Sequence, residues 1–316
     1  MIKKRKAFIV GLKGYKITTK EINFLKKYRP WGIILFSRNI KSIIQTQLLT
    51  RKIRSIFKDK NYPIIIDEEG GKVSRLRAFI DNSSFSAKFF GKLFSKNRKK
   101  FNIYCNIYVN QISHLLNILG INMNTYPVLD LYRTNSHDVI GSRSFSSNSN
   151  VVSKIGDIFI DQFHKNKIGT IIKHIPGHGH SKTDSHYKLP IIKKSKKYLN
   201  THDFKAFKNK KSLFAMTAHI IYQNIDKNFT ATHSKKVIKF IRNKIKFKNL
   251  LISDDISMKS LKFSIKANTI KAFNAGCDLV LHCNAKHKEM ITVAKNSPKV
   301  NVFVSKKTSQ FYRILS

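Results

Sequence analysis

The chain has 316 residues, 41% of them hydrophobic. That is enough apolar chain for a sizeable core in one large domain or two modest ones, and too much for a charged, disordered tail. Its 61 Lys+Arg against 17 Asp+Glu give a formal net charge of +44, which draws phosphate-bearing partners without regard to sequence. The basic runs ("MIKKRK", "KNRKK", "IIKKSKKY", "KNKK") are short and scattered, with no RNP-type aromatic motif, Cys/His finger or basic helix with heptads, so a specific nucleic-acid partner is not expected.

The first apolar run, "AFIVGL", follows a basic start like a signal peptide but is too short and ends at Lys13. No segment approaches the length of a membrane span. The three cysteines (Cys105, Cys277, Cys283) are odd in number and sit in apolar contexts, as expected for buried thiols in a reducing, cytoplasmic setting. Along the chain, "AFIVGL" precedes a helix-like "TTKEINFLKKY", and "WGIILF" precedes residues 41–58 with helical spacing of apolar side chains. "YPIIID", a glycine-rich stretch and a helix around 101–119 come next. They are followed by "INMNTYPVLDL", a helix near 151–166, "IGTIIKH" and "SLFAMTAHI". Helices near 233–246 and 265–275 flank "LLISD"; "CDLVLHC" and a last helix from about 285 close the chain. About eight doubly buried strands separated by helices predict an α/β fold, a single (β/α)8 TIM-type barrel spanning 1–316. A doubly wound sheet is the alternative, but no G-x-G-x-x-G follows the first strand. The irregular stretches 70–100, 131–150 and 175–200 are long enough to be functional loops.

Barrel enzymes place their chemistry at the C-terminal ends of the strands. Those ends read Asp67, Asp130, Lys173 with His174, His219, and Asp254 with Asp255. One such residue alone is often just a helix N-cap; five strands ending this way are not so easily explained. Asp67, before the Gly70–Gly71 turn, is suited to grip two adjacent hydroxyls with Arg75 beside it, or else caps a helix. Asp254 ends a buried strand where a nucleophile would be well held, or again caps the helix that follows. Residues 171–190 gather four of the 12 histidines. As a metal site, His174, His178 and His180 would be the ligands, although Pro176 and Gly177 prevent a helix from presenting the first two on one face. As an acid/base loop, Asp184 would orient His186 and favour its protonated form, with Gly177 and Gly179 letting the loop swing over a substrate; taken alone, His186 reads first as a solvated loop histidine.

"IDEEGGKVSRL", "DVIGSRSF", "KHIPGHGHSKTDSH" and "SDDISMKSL", in this order, resemble the family 3 glycoside hydrolases, and within them the cytoplasmic bacterial β-N-acetylhexosaminidases of peptidoglycan recycling. The resemblance runs from about Phe8 to Cys283. It implies a (β/α)8 barrel that removes terminal, non-reducing β-linked N-acetylglucosamine with retention. It makes Asp254 the nucleophile and His186 the general acid/base with Asp184 as its partner. Asp67, Arg75, Arg143, Lys173 and His174 become sugar-binding residues. The histidines gather, on this reading, because their loop carries the proton. The implied substrate is an N-acetylglucosamine-containing muropeptide or disaccharide. No metal or organic cofactor, no specific nucleic acid and no membrane are expected, and the protein is expected to be a monomer. Lys72 replaces a common arginine, and "DEEGG" replaces the more usual "DQEGG". The competing readings are a phosphorolytic enzyme on the same site, a metal-dependent barrel hydrolase sensitive to chelators, and a basic protein whose salt-dependent retention on DNA survives mutation of Asp254.

Overall fold

A computed structural model describes residues 2–134, 140–181, 183 and 189–316. Eight parallel strands close into a barrel: β1 (Lys6–Gly11), β2 (Pro30–Leu35), β3 (Ile64–Ile66), β4 (Met123–Asn124), β5 (Gly169–Ile175), β7 (Phe214–Thr217), β9 (Leu250–Asp255) and β10 (Leu279–His282). The first strand pairs with both the second and the last. Two short strands outside the barrel, β6 (Ile191–Ile192) and β8 (Ile221–Tyr222), pair with each other. The expected architecture is therefore the observed one.

Strand alternation sorts the core into two layers. Ala7, Ile9, Trp31, Ile65, Met123, Ile171, Phe214, Leu250 and Leu279 fill the barrel interior. Phe8, Val10, Ile64, Ile66, Ile172, Leu251 and Val280 face the surrounding helices. Among the described residues the α-helices are α1 (Thr19–Tyr28), α2 (Ile43–Phe57), α3 (Ala87–Lys96), α4 (Arg98–Leu119), α5 (Ser149–Lys165), α6 (Lys196–Thr201), α7 (Lys235–Phe240), α8 (Ile265–Ala275), α9 (His287–Asn296) and α10 (Val302–Ile314). In α4, Asn97 caps the start and Gly120, in the left-handed region, closes the end. Phe101, Cys105, Tyr108, Ile112, Leu116 and Leu119 form its buried stripe. Among the described residues no helix is long and apolar enough to cross a membrane.

The last helix decides which end of the barrel is open. Val304 and Phe311 of α10 join the interior cluster, Trp31 Nε1 donates to Thr308 Oγ1 at 2.8 Å, and Phe311 packs so close to Gly169 that a Cβ there would meet its ring at 2.5 Å. This plug seals the N-terminal end, leaving the C-terminal strand ends for a site.

Several boundaries differ from expectation. Of "INMNTYPVLDL" only Met123–Asn124 is a strand, because Pro127 has no N–H to give the ladder. The chain still runs beside β5, bridging Val128 to Lys173. The stretch 70–100 contains α3, the helix near 233–246 changes to a π-helix over Ile241–Ile245, and the last helix is two, interrupted at Pro298. The N-cap alternative for the acidic strand ends fails: α3 and α8 begin long after Asp67 and Asp254 and are capped by Ser86 and Ser264.

Candidate active site

Asp67, Arg75, Arg143, Lys173, His174 and Asp254 all line one cavity of about 190 Å³ at the open end of the barrel. They arrive from the ends of β3, β5 and β9 and from the loops after β3 and β4, chain positions that only barrel closure brings together. The volume is below the roughly 300–1,000 Å³ of drug-sized sites and suits one small polar molecule. Asp184 and His186 lie outside the described residues.

The polar wall is a fixed lattice of charges. Lys173, its side chain 3% exposed, reaches Asp67 Oδ1, Glu69 Oε1 at 2.6 Å and Thr125 Oγ1 at 2.9 Å. Arg143 grips Glu69 with two parallel bonds, Nε to Oε2 at 2.7 Å and Nη2 to Oε1 at 2.8 Å, a geometry that fixes the guanidinium plane. Arg75 Nη2 donates to Asp67 Oδ2 at 2.9 Å, and its guanidinium lies over the Phe36 ring at 5.6 Å. Burial acts to raise the Asp67 carboxyl, but Lys173 and Arg75 outweigh it and hold the group well below the usual carboxylate range. Burial is likewise overcome at Glu69 by Arg143 and Lys173 and at Asp130 by His174 and His178. All three are ionised near neutrality.

His174 is oriented from behind. Its Nδ1 bonds Asp130 Oδ2 at 2.6 Å, and the buried Asp130 also accepts the backbone N–H groups of His174 and His178. With Nδ1 engaged, Nε2 is the ring nitrogen left for a ligand. His219 does not line the cavity. Its ring spans Thr232 Oγ1 and the main-chain oxygen of Asp255 at 2.8 and 3.0 Å, tying the end of β9 to the loop after β7. Asp254 is partly exposed and accepts the N–H of Asp255 at 2.8 Å. Asp255 instead organises the turn beyond, accepting from Ser257 N, Ser257 Oγ and Cys283 N. Ile34, Phe36, Val73, Met216, Met258 and Leu281 also line the cavity. Ionic donors and acceptors together with apolar side chains match a sugar ring, whose hydroxyls radiate from a C–H face.

The histidines supposed to hold a metal are divided. His174 faces Asp130, while His180 Nε2 lies 3.3 Å from Asp203. Among the described residues no group of three or more His, Cys, Asp or Glu is placed to hold a metal ion. Sequence reasoning assigned no role to Glu69, which joins Arg143 to Lys173, or to Thr125. For Glu69 a signal existed: three consecutive acids at a strand end in a carboxylate-poor chain.

Two consequences are measurable. Lys173→Met removes the cation that Asp67 and the buried Glu69 share, leaving Arg75 and Arg143 as their partners, and should lower stability by about 1–3 kcal/mol in urea unfolding at pH 7. No loss would show that the two arginines alone hold the carboxylates. The second concerns pH. Burial pushes His178 down to about 4 against an ordinary 6.5, despite the nearby Asp130; burial likewise takes His164 to about 4 and His233 to about 3. As pH falls below about 6.5 the unfolded chain takes up these protons first. Stability is therefore present above that pH and lost progressively toward pH 4, although Glu68 and Asp278, whose carboxyls burial raises, act in the opposite sense. The melting temperature should fall between pH 7 and pH 5; a flat or rising profile contradicts the neutral, buried histidines.

Comparison with known proteins agrees with this geometry. The glycosyl hydrolase family 3 N terminal domain matches the chain over residues 4–313. A β-hexosaminidase of Haemophilus influenzae is 33% identical over 291 residues, 89% of this chain and 80% of that protein. One from Actinobacillus pleuropneumoniae is 31% identical over 282 residues, with 87% and 80% covered. Among solved structures, NagZ from Neisseria gonorrhoeae in complex with zinc ion superposes with a TM-score of 0.84 at 26% identity, covering 98% of this chain and 90% of that one. The same protein in complex with N-trifluoroacetyl-D-glucosamine gives 0.82 at 25% identity, covering 99% and 98%.

Proposed function

The chain belongs to glycosyl hydrolase family 3 and is a glycoside hydrolase similar to β-hexosaminidases, and from that premise we propose that it releases terminal β-linked N-acetylglucosamine with retention of configuration. The observation that carries the proposal is the convergence of Asp254 with Asp67, Arg75, Arg143, Lys173 and His174 on one small cavity.

In the proposed reaction Asp67, Arg75, Lys173, Arg143 and His174 hold the hydroxyls and acetamido group of the terminal sugar. Asp254 attacks the anomeric carbon as His186, paired with Asp184, gives a proton to the departing glycosidic oxygen. The C–O bond to the leaving group breaks and an ester to Asp254 forms. Water then attacks the same carbon, His186 takes its proton, and the Asp254 carboxylate leaves. Two displacements at one carbon restore the original configuration, and each barrier is lower than that of a single direct displacement. His186 replaces the second carboxylate that most retaining glycosidases use.

The ligand of the related Neisseria structure, a trifluoroacetylated glucosamine, supports an N-acylated amino sugar in this cavity. We extend the proposal to muropeptide or disaccharide fragments of peptidoglycan as the natural substrate, turned over in the cytoplasm by a monomer whose whole length forms one catalytic domain. The test is a comparison of aryl β-N-acetylglucosaminide with the aryl β-glucoside. Clear preference for the former is expected, and equal turnover, or turnover abolished by chelators, would sink the proposal.

A further inference from the structure

Glu68 is buried, 1% exposed, and does not line the cavity, yet its carboxylate is the organising point of the loop that brings Arg75 to it. Oε1 accepts from Asn82 Nδ2 at 2.6 Å and Gly70 N at 3.3 Å. Oε2 accepts from Arg75 N at 2.6 Å, Leu76 N at 3.0 Å and Ser74 Oγ at 3.2 Å. The main chain of Glu68 is itself fixed to the barrel, its N–H donating to Asn124 Oδ1 at 3.0 Å and its carbonyl accepting Asn124 Nδ2 at 2.7 Å. The loop thus has one end on the barrel at Asp67 and is folded back around a carboxylate rooted there, so that the Arg75 side chain returns to Asp67.

We propose that Glu68 is a positioning residue: it sets the backbone of Arg75 and so holds the guanidinium against Asp67 in the sugar site. The inference rests on the reading above that Arg75 grips the sugar. Its physical content is that all five neighbours donate, which the acceptor-only carboxylate satisfies together, and a buried N–H left without an acceptor is costly. Asn82 adds a specific feature. Its Oδ1 is buried and has no hydrogen-bond partner among the described residues, so the amide can turn and offer that oxygen. A glutamine at 68 would keep one oxygen for Ser74, Arg75 and Leu76 and donate its NH2 to the turned Asn82, replacing the bond from Asn82 and giving up the long bond from Gly70.

The pattern of variants tests this on an aryl β-N-acetylglucosaminide. Glu68→Ala should raise KM as Arg75→Ala does, on the order of tenfold to a hundredfold, with a smaller change in kcat. The double variant should be no worse than Arg75→Ala alone, because the first residue acts only through the second. Glu68→Gln should stay within about threefold of the wild type. Additive losses, or a Glu68→Gln as impaired as Glu68→Ala, overturn the proposal. If Glu68→Ala does not fold, Asn82→Asp answers the same question. It sets carboxylate against carboxylate and should raise KM, and adding Glu68→Gln should restore it; no effect, or no restoration, overturns the proposal. Wild-type protein that binds N-acetylglucosamine in calorimetry without turning over the glycoside counts against the proposed function alone, and the variants are then compared by Kd. If the wild type does not bind the sugar, both proposals fall.

Discussion

Asp254→Ala is expected to abolish turnover, by on the order of 10⁴–10⁶-fold, while the melting temperature stays close to that of the wild type. The magnitude follows from removing the proposed attacking atom itself, since a positioned nucleophile is not replaced by residual binding. The stability side follows from the fold. Asp254 is partly exposed at the mouth of the barrel, beyond the fully buried Leu250–Ser253 segment of its strand. Asp255→Ala should behave in the opposite way. Its carboxylate accepts from Ser257 N at 3.0 Å and Cys283 N at 3.1 Å, so its loss loosens the ends of β9 and β10 and costs about 1–3 kcal/mol of stability with only a partial loss of activity. If Asp255→Ala were the dead, stable variant and Asp254→Ala the active one, the assignment of the nucleophile would be reversed.

His186→Ala is expected to have an effect that depends on the leaving group. General acid/base assistance typically contributes about 10²–10⁴-fold, and an unactivated sugar aglycone needs all of it because its alkoxide leaves poorly. A nitrophenolate departs with little protonation. The variant should therefore lose the larger factor on a disaccharide and much less in the first step on nitrophenyl glycosides. Deprotonation of water in the second step still needs a base, so the covalent intermediate should accumulate on activated substrates. A loss of the same size on both classes would mean that His186 orients the sugar and carries no proton.

Much of this arrangement was legible in the sequence because a barrel writes its site into strand ends. Asp67, Lys173, His174 and Asp254 each close a run of apolar residues, and in the structure each such run is a buried barrel strand whose far end opens on the cavity. Arg143 needed the family resemblance, since it lies on a loop with no periodicity to locate it, whereas Arg75 is legible beside Asp67 across the Gly70–Gly71 turn. Glu69 stayed hidden for a physical reason: its meaning comes from Arg143, 74 positions away, and Lys173, and only folding makes those contacts. The same holds for Asp130, which reads as one more acidic strand end until His174 and two backbone N–H groups are seen converging on it. The strand that fell shortest of expectation is β4. Its apolar run continues past Asn124, but Pro127 interrupts the ladder, and hydropathy is blind to the missing donor. The α10 plug departs from the single helix expected from about residue 285 because Pro298, a helix breaker, divides that segment into α9 and α10.

The most direct test of the whole account is the anomeric form of the first product. Proton NMR of an aryl β-N-acetylglucosaminide during its first minutes with the enzyme distinguishes the two outcomes before mutarotation mixes them. Retention through a glycosyl ester on Asp254 requires β-N-acetylglucosamine to appear first, with the α form growing in later. The α anomer appearing first would mean a single displacement by water, and Asp254 would then be at most a general base.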